Sequence, residues 1–281
     1  MTIDKWFEQF LQEKRYLENV SQHTIAFYKQ SFKAFNLQEP LTQSQINEKL
    51  TALRAGGKSA GCCDAYVRGI NSYLTWLHEN GHTTERLKAK RPKLEKRVKK
   101  TFSDTQLRTI FLFKPRSFYE HRLHTLLCLL ADTGIRINEA LTLKRSKVDF
   151  DNLLLTVAGK GNKERVLPFS FECRKVLYKY LAKHQFDLVF CTRHGSKLLY
   201  DNTRRDFNKL METLGIEGFE GSFHAFRRAF AKSYLRRGGN LIYLRQVMGH
   251  SSVKTTEAYI EVEVEALRET HSRVSMLENV H

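Results

Sequence analysis

The sequence predicts a mainly α chain with a small antiparallel β-sheet, an α+β protein in two domains, and three observations carry that prediction. Apolar residues recur at helical spacing throughout residues 1–87. Residues 88–100 are nearly devoid of apolar side chains and contain Pro92, as a domain linker would. Three short runs rich in branched and aromatic residues lie between turn signals at 148–169, inside a second domain spanning 101–281 that is otherwise helical in pattern.

In the first domain, Trp6, Phe7, Phe10 and Leu11 share one face of a first helix. Thr24, Tyr28, Phe32 and Phe35 mark a second, opened by a capping Ser21. A third covers Ser44 to Arg54 and is broken by Gly56-Gly57. A fourth runs from Ser59 to Asn80 and ends at Gly81, giving a small four-helix bundle. The second domain opens at Ser103, whose spacing to Gln106 is that of a capping box. A mostly apolar helix follows from Arg122 to Asp132, Gly134 interrupts it, and another helix continues through Leu141. Val148 to Phe150, Leu153 to Val157 and Arg165 to Phe169 then form a three-stranded meander. From Phe171 the pattern is helical again, with a short extended piece at Leu188 to Cys191.

Charge narrows the partner. Lys and Arg outnumber Asp and Glu by 47 to 30, a net charge of +17, which favours a polyanion. Residues 88–100 hold eight basic side chains and one acidic one, so the excess is concentrated where the chain is least apolar. Lys93, Lys96 and Arg97 are the candidate DNA contacts in that segment, although a basic linker needs charge for no reason beyond solubility. The longest uninterrupted apolar run, Leu126 to Ala131, is too short to cross a bilayer and the N-terminus lacks a signal-peptide plan, so a cytoplasmic location is expected. Five cysteines with no C-x-x-C pair read as reduced thiols, with no metal site.

Chemistry is carried by Arg136 in Thr133-Gly134-Ile135-Arg136-Ile137-Asn138-Glu139, by Lys160 in a glycine-rich turn, by His224 and Arg227, by His250, and by Tyr259. Each has a plainer reading. An arginine three residues before a glutamate is ordinarily a surface ion pair, a lysine between glycines a hairpin tip, a histidine at a helix start such as His224 a satisfied side chain, His250 after Gly249 a cap, and Tyr259 a core aromatic.

Order and spacing change the weighing, because these segments resemble the signature boxes of the tyrosine recombinase (phage integrase) family, in its simple two-domain Xer-like form. Thr-Gly-x-Arg-x-x-Glu stands at Thr133 to Glu139, and Gly-Lys-Gly-Asn-Lys-x-Arg at Gly159 to Arg165. His-x-x-Arg is His224 to Arg227, and Gly-His-Ser-Ser followed by Thr-Thr and Tyr runs from Gly249 to Tyr259. The resemblance implies that residues 1–87 are a core-binding domain, 88–100 a basic linker and 101–281 the catalytic domain.

It also implies a reaction without metal or cofactor. Attack on a phosphodiester builds charge on the non-bridging oxygens, and two guanidiniums, Arg136 and Arg227, can clamp those oxygens while staying ionised. His224 and His250 add hydrogen bonds, and either can help remove the phenol proton. Tyr259, with an ordinary pKa of about 10, is the nucleophile. Lys160 is the general acid for the departing 5′-oxygen, with Lys163 as the alternative. Glu139 orients the Arg136 guanidinium. The product is a 3′-phosphotyrosyl bond that stores the energy for rejoining. Further implications are duplex DNA with a specific site, a homotetramer acting on two sites through a Holliday junction, and a C-terminal helix over residues 264–278 that docks on a neighbour or on its own subunit. A type IB topoisomerase and a DNA-binding regulator without catalysis are the competing readings.

Overall fold

The computed structural model describes residues 3–95, 101–159, 164–219 and 223–249, and the chain divides into two compact units, Met1–Arg97 and Val98–His281. The first is helical: α1 (Ile3–Tyr16), α2 (Gln22–Phe35), α3 (Gln43–Ala55) and α4 (Ala60–Glu79). Ser21, Thr42 and Ser59 each accept the backbone N–H three residues on, and so supply a donor-starved helix start with its acceptor. An aromatic cluster fills the core. The Phe7 ring lies 3.8 Å from that of Phe32 and edge-on to Tyr73, whose hydroxyl donates to the Ile3 carbonyl at 2.8 Å. Trp76 donates from its indole nitrogen to Glu13 at 2.6 Å.

The start of the basic segment belongs to this unit. Leu87 and Ala89 are buried, and the Gln43 and Asn71 amides each make two hydrogen bonds to the backbone, of residue 88 and residue 89 respectively. Arg91 forks onto Asp64 at 2.7 and 3.1 Å. A boundary at 87 therefore cuts through packed chain. Charge at Lys88 and Lys90 masks the alternation that buries Leu87 and Ala89 between them. Lys93 is exposed, and Lys96 and Arg97 lie outside the described residues.

The second unit opens with α5 (Asp104–Leu112), capped by the reciprocal Ser103–Gln106 box. Next comes α6 (Phe118–Thr133), which starts a turn earlier than its apolar run suggests because Ser117 and Glu120 form a second capping box. Leu123, Leu126, Leu127, Leu129 and Leu130 bury α6 on nearly all sides, making it the central helix. After the single turn α7 (Ile137–Ala140) and a 3-10 turn (Arg145–Lys147) come β1 (Val148–Asp149), β2 (Leu154–Ala158) and β3 (Glu164–Pro168). They pair antiparallel in the order β1-β2-β3, with Val148 opposite Leu155 and Val157 opposite Arg165. Leu155, Val157 and Leu167 face the core, as two-residue alternation requires.

The remaining helices are α8 (Phe171–Leu181), α9 (Tyr200–Thr213), α10 (His224–Arg236) and α11 (Leu241–Met248). The expected extended piece at Leu188 to Cys191 is reduced to two isolated bridges, Lys144 with Leu188 and Cys191 with Lys197. It is pinned from α6, where the buried Arg122 donates to the Cys191 carbonyl at 3.0 Å and pairs with Asp206. All five cysteines are unpaired thiols. Among the described residues no helix is long and apolar enough to cross a membrane.

Candidate active site

The Thr-Gly-x-Arg box is a helix terminus followed by a reversal. Thr133 donates its hydroxyl to the Leu129 carbonyl and accepts the Ile135 N–H, which braces the turn from inside. Gly134 ends α6 at φ +63°, and a Cβ there would sit 2.4 Å from the Phe230 ring, so both backbone and packing demand glycine. The reversal buries Ile135 and delivers Arg136 to the start of α7.

Glu139, one turn later, then receives four hydrogen bonds. The Arg136 backbone N–H reaches one carboxylate oxygen at 3.0 Å and the Arg136 guanidinium the other at 2.8 Å. Arg165, from β3, forks onto both oxygens at 2.9 and 2.8 Å. Burial pushes the Glu139 carboxyl up, but the bonds from Arg165 and Arg136 outweigh it and hold the group below the usual carboxylate range. It is ionised at neutral pH. Among the described residues, two guanidiniums share this one carboxylate and a third lies beside them.

The third guanidinium is Arg227. The first turn of α10 carries His224 exposed and Arg227 buried, with the Arg227 side chain running beneath the helix to donate to the Gly134 carbonyl at 2.6 Å and to the Met248 carbonyl. This explains the company of the two boxes, since the glycine that closes α6 offers its own oxygen to the arginine of His-x-x-Arg. At the end of α11, Gly249 turns the chain at φ +59°. The last carbonyls of α11 are taken in succession: Val247 by Arg165 at 3.0 Å, Met248 by Arg227, and Gly249 by Arg136 at 2.9 Å. A helix C-terminus carries roughly half a negative charge on such orphan carbonyls, so three cations converge there for an electrostatic reason.

Arg136, Glu139 and Arg227 are thus brought into one cluster, and His224 lies one turn before Arg227 on α10. Lys160, Lys163, His250 and Tyr259 lie outside the described residues, but their attachments do not. The strands flanking the lysines are paired up to Ala158 opposite Glu164, and Gly249 immediately precedes His250. Arg165 was legible only as the last letter of the hairpin box; nothing in its spacing showed that it shares the Glu139 carboxylate.

Residues 100–266 match the model of the phage integrase family. The chain belongs to that family. Among curated relatives of this family member, the tyrosine recombinase XerC of Anoxybacillus flavithermus is 26% identical, over 95% of this chain and 95% of the relative. The tyrosine recombinase XerA of Pyrococcus furiosus is 27% identical, over 94% and 92%. Among solved structures, a Tn1549 transposon integrase in complex with a circular intermediate DNA has the same fold, with a TM-score of 0.78 at 15% identity over 98% of this chain and 100% of that one. A XerH site-specific recombinase bound to a palindromic difH substrate aligns with a TM-score of 0.72 at 20% identity, over 95% of this chain and 83% of that one.

Proposed function

We propose that the chain is a site-specific DNA recombinase that cuts and rejoins strands through a covalent 3′-phosphotyrosyl intermediate, for integration, excision or resolution of DNA. The observation that carries this reading is the convergence of Arg136 and Arg227, far apart in sequence, on consecutive carbonyls immediately before His250. Both guanidiniums are held by rigid acceptors, so little reorganisation is needed when charge develops on a phosphate oxygen beside them. The relatives named as tyrosine recombinases, and the neighbours solved with DNA, support the same substrate.

In the proposed reaction the Tyr259 oxygen attacks phosphorus as the bond to the 5′-oxygen breaks. The phenol proton passes to His224 or His250, Lys160 or Lys163 donates a proton to the leaving oxygen, and Arg136 and Arg227 stabilise the five-coordinate phosphorus. Rejoining reverses each transfer, with a 5′-hydroxyl from the partner strand as nucleophile. Glu139 keeps Arg136 in place throughout. Lys93, Lys96 and Arg97 contact the DNA backbone from the basic segment.

Incubation with a nicked duplex that releases the short product strand should trap protein covalently on DNA, and a chelator should leave that yield unchanged. A regulator gives no adduct. A type IB topoisomerase relaxes supercoils without paired sites, which an assay on one-site and two-site circles separates. Restoration of a chelator-sensitive activity by magnesium would contradict the chemistry.

For assembly, residues 264–278 are proposed to dock as a helix on a neighbouring subunit of a tetramer holding two DNA sites. A groove of about 880 Å³ on the second unit, lined by Leu107, Phe111, Leu112, Phe230 and Tyr234, suits the apolar Val264, Leu267, Val274 and Leu277. A chain ending before residue 264 should bind one site yet fail to pair two in a gel of the protein–DNA complexes; undiminished pairing would refute docking between subunits.

A further inference from the structure

We infer that Arg165 is a positioning residue for strand cleavage, the tie that sets Glu139, and through it Arg136, against the end of α11. The inference rests on the recombinase reading and adds a residue whose three bonds all go to other parts of the protein. Its guanidinium makes three bonds to two partners from different parts of the fold: both Glu139 oxygens, at 2.9 and 2.8 Å, and the Val247 carbonyl, at 3.0 Å from Nε. That is the bidentate fork plus one lateral donor, a pattern that a lysine cannot reproduce. The side chain is 14% exposed and that of Glu139 11%, so the pair is shielded from the competition with water that weakens surface ion pairs.

A second observation points the same way. Gly249 has φ +59°, and a Cβ built there would lie 3.1 Å from the Arg165 guanidinium carbon. The guanidinium lies across the turn from which the chain leads into His250. Arg165 is also the β3 partner of Val157, next to the last described pair before the turn that carries Lys160. One side chain therefore links the root of the lysine hairpin, the carboxylate that holds Arg136, and the turn before His250. Without it Glu139 keeps, among the described residues, only its Arg136 bonds, and the Arg136 guanidinium is left held by the Gly249 carbonyl on one side and by a carboxylate that can move on the other. A shift of about 1 Å in a group that must meet a developing charge costs a rate on the order of 100-fold.

The test uses the full chain and a nicked duplex carrying the site that the protein itself selects from random DNA, with single-turnover adduct formation measured at saturating protein. Arg165→Ala should slow adduct formation about 100-fold at a temperature where the variant is folded, with DNA affinity close to that of the wild type. Its thermal midpoint should be lowered because Glu139 and the Val247 carbonyl lose shielded donors, and Arg165→Lys should lie between the two. Glu139→Gln combined with Arg165→Ala should be no slower than the worse single variant, because the two act as one unit. If Arg165→Ala does not fold, Arg165→Lys and its combination with Glu139→Gln carry the same comparison. A wild-type rate in the Arg165 variants overturns the inference, as does a double variant whose loss is the product of the single losses, or a fall in DNA affinity as large as the fall in rate. No adduct from the wild-type chain would instead sink the recombinase reading itself.

Discussion

Tyr259→Phe should abolish the covalent protein–DNA adduct while leaving DNA affinity within roughly twofold of the wild type. The substitution removes one oxygen and keeps the ring, so phosphate contacts, which dominate affinity, are untouched. The remaining groups can stabilise a pentacoordinate phosphorus but supply no protein oxygen to attack it. Denaturing electrophoresis after incubation with a nicked duplex reads the result directly. Tyr243, on α11 and 61% exposed, provides the control, since Tyr243→Phe should form adduct as well as the wild type. An adduct that persists in the Tyr259 variant would place the nucleophile elsewhere.

Arg227→Ala should be nearly as severe for cleavage and also costly for the fold. Arg227 is 4% exposed and satisfies two carbonyls, Gly134 at the end of α6 and Met248 at the end of α11. Truncation leaves two buried acceptors without this donor and opens a cavity between helices, a loss of about 3 kcal/mol. It also removes one of the two guanidiniums assigned to the phosphate, where a single lost donor costs on the order of 10²–10³ in rate. Arg227→Lys separates the two effects. It keeps the charge but cannot fork to carbonyls on both sides, so stability should be partly restored and cleavage much less so. Urea denaturation measures the first and single-turnover cleavage the second. A variant that is destabilised yet cleaves normally when folded would remove Arg227 from the chemistry.

Much of the architecture was legible because its causes are local. Ser21, Ser59 and Ser103 announce helix starts within three residues of themselves, whereas the caps Thr42 and Ser117 emerged only in the structure. The meander was readable for the same reason, since Asp149 and Asn152 build its first turn between neighbours. The packing of the first residues of the basic segment was not legible because its cause is distant: Asn71 grips the backbone of Ala89 from 18 residues away, while the neighbours Lys88, Lys90 and Arg91 advertise only charge.

By itself, the sequence determined the family boxes and so nominated the side chains for the site, because the boxes are short and each residue type answers to a nearby turn or to the chemistry of phosphate. Only the tertiary structure decided how they are held. The bonds from Arg136 to Gly249, Arg227 to Gly134 and Arg165 to Val247 span 113, 93 and 82 residues, and each ends on a backbone oxygen. Every residue offers such an oxygen, so no residue type marks the acceptor. Which carbonyls a cation reaches follows from where helices end in space, and that is settled by packing around α6.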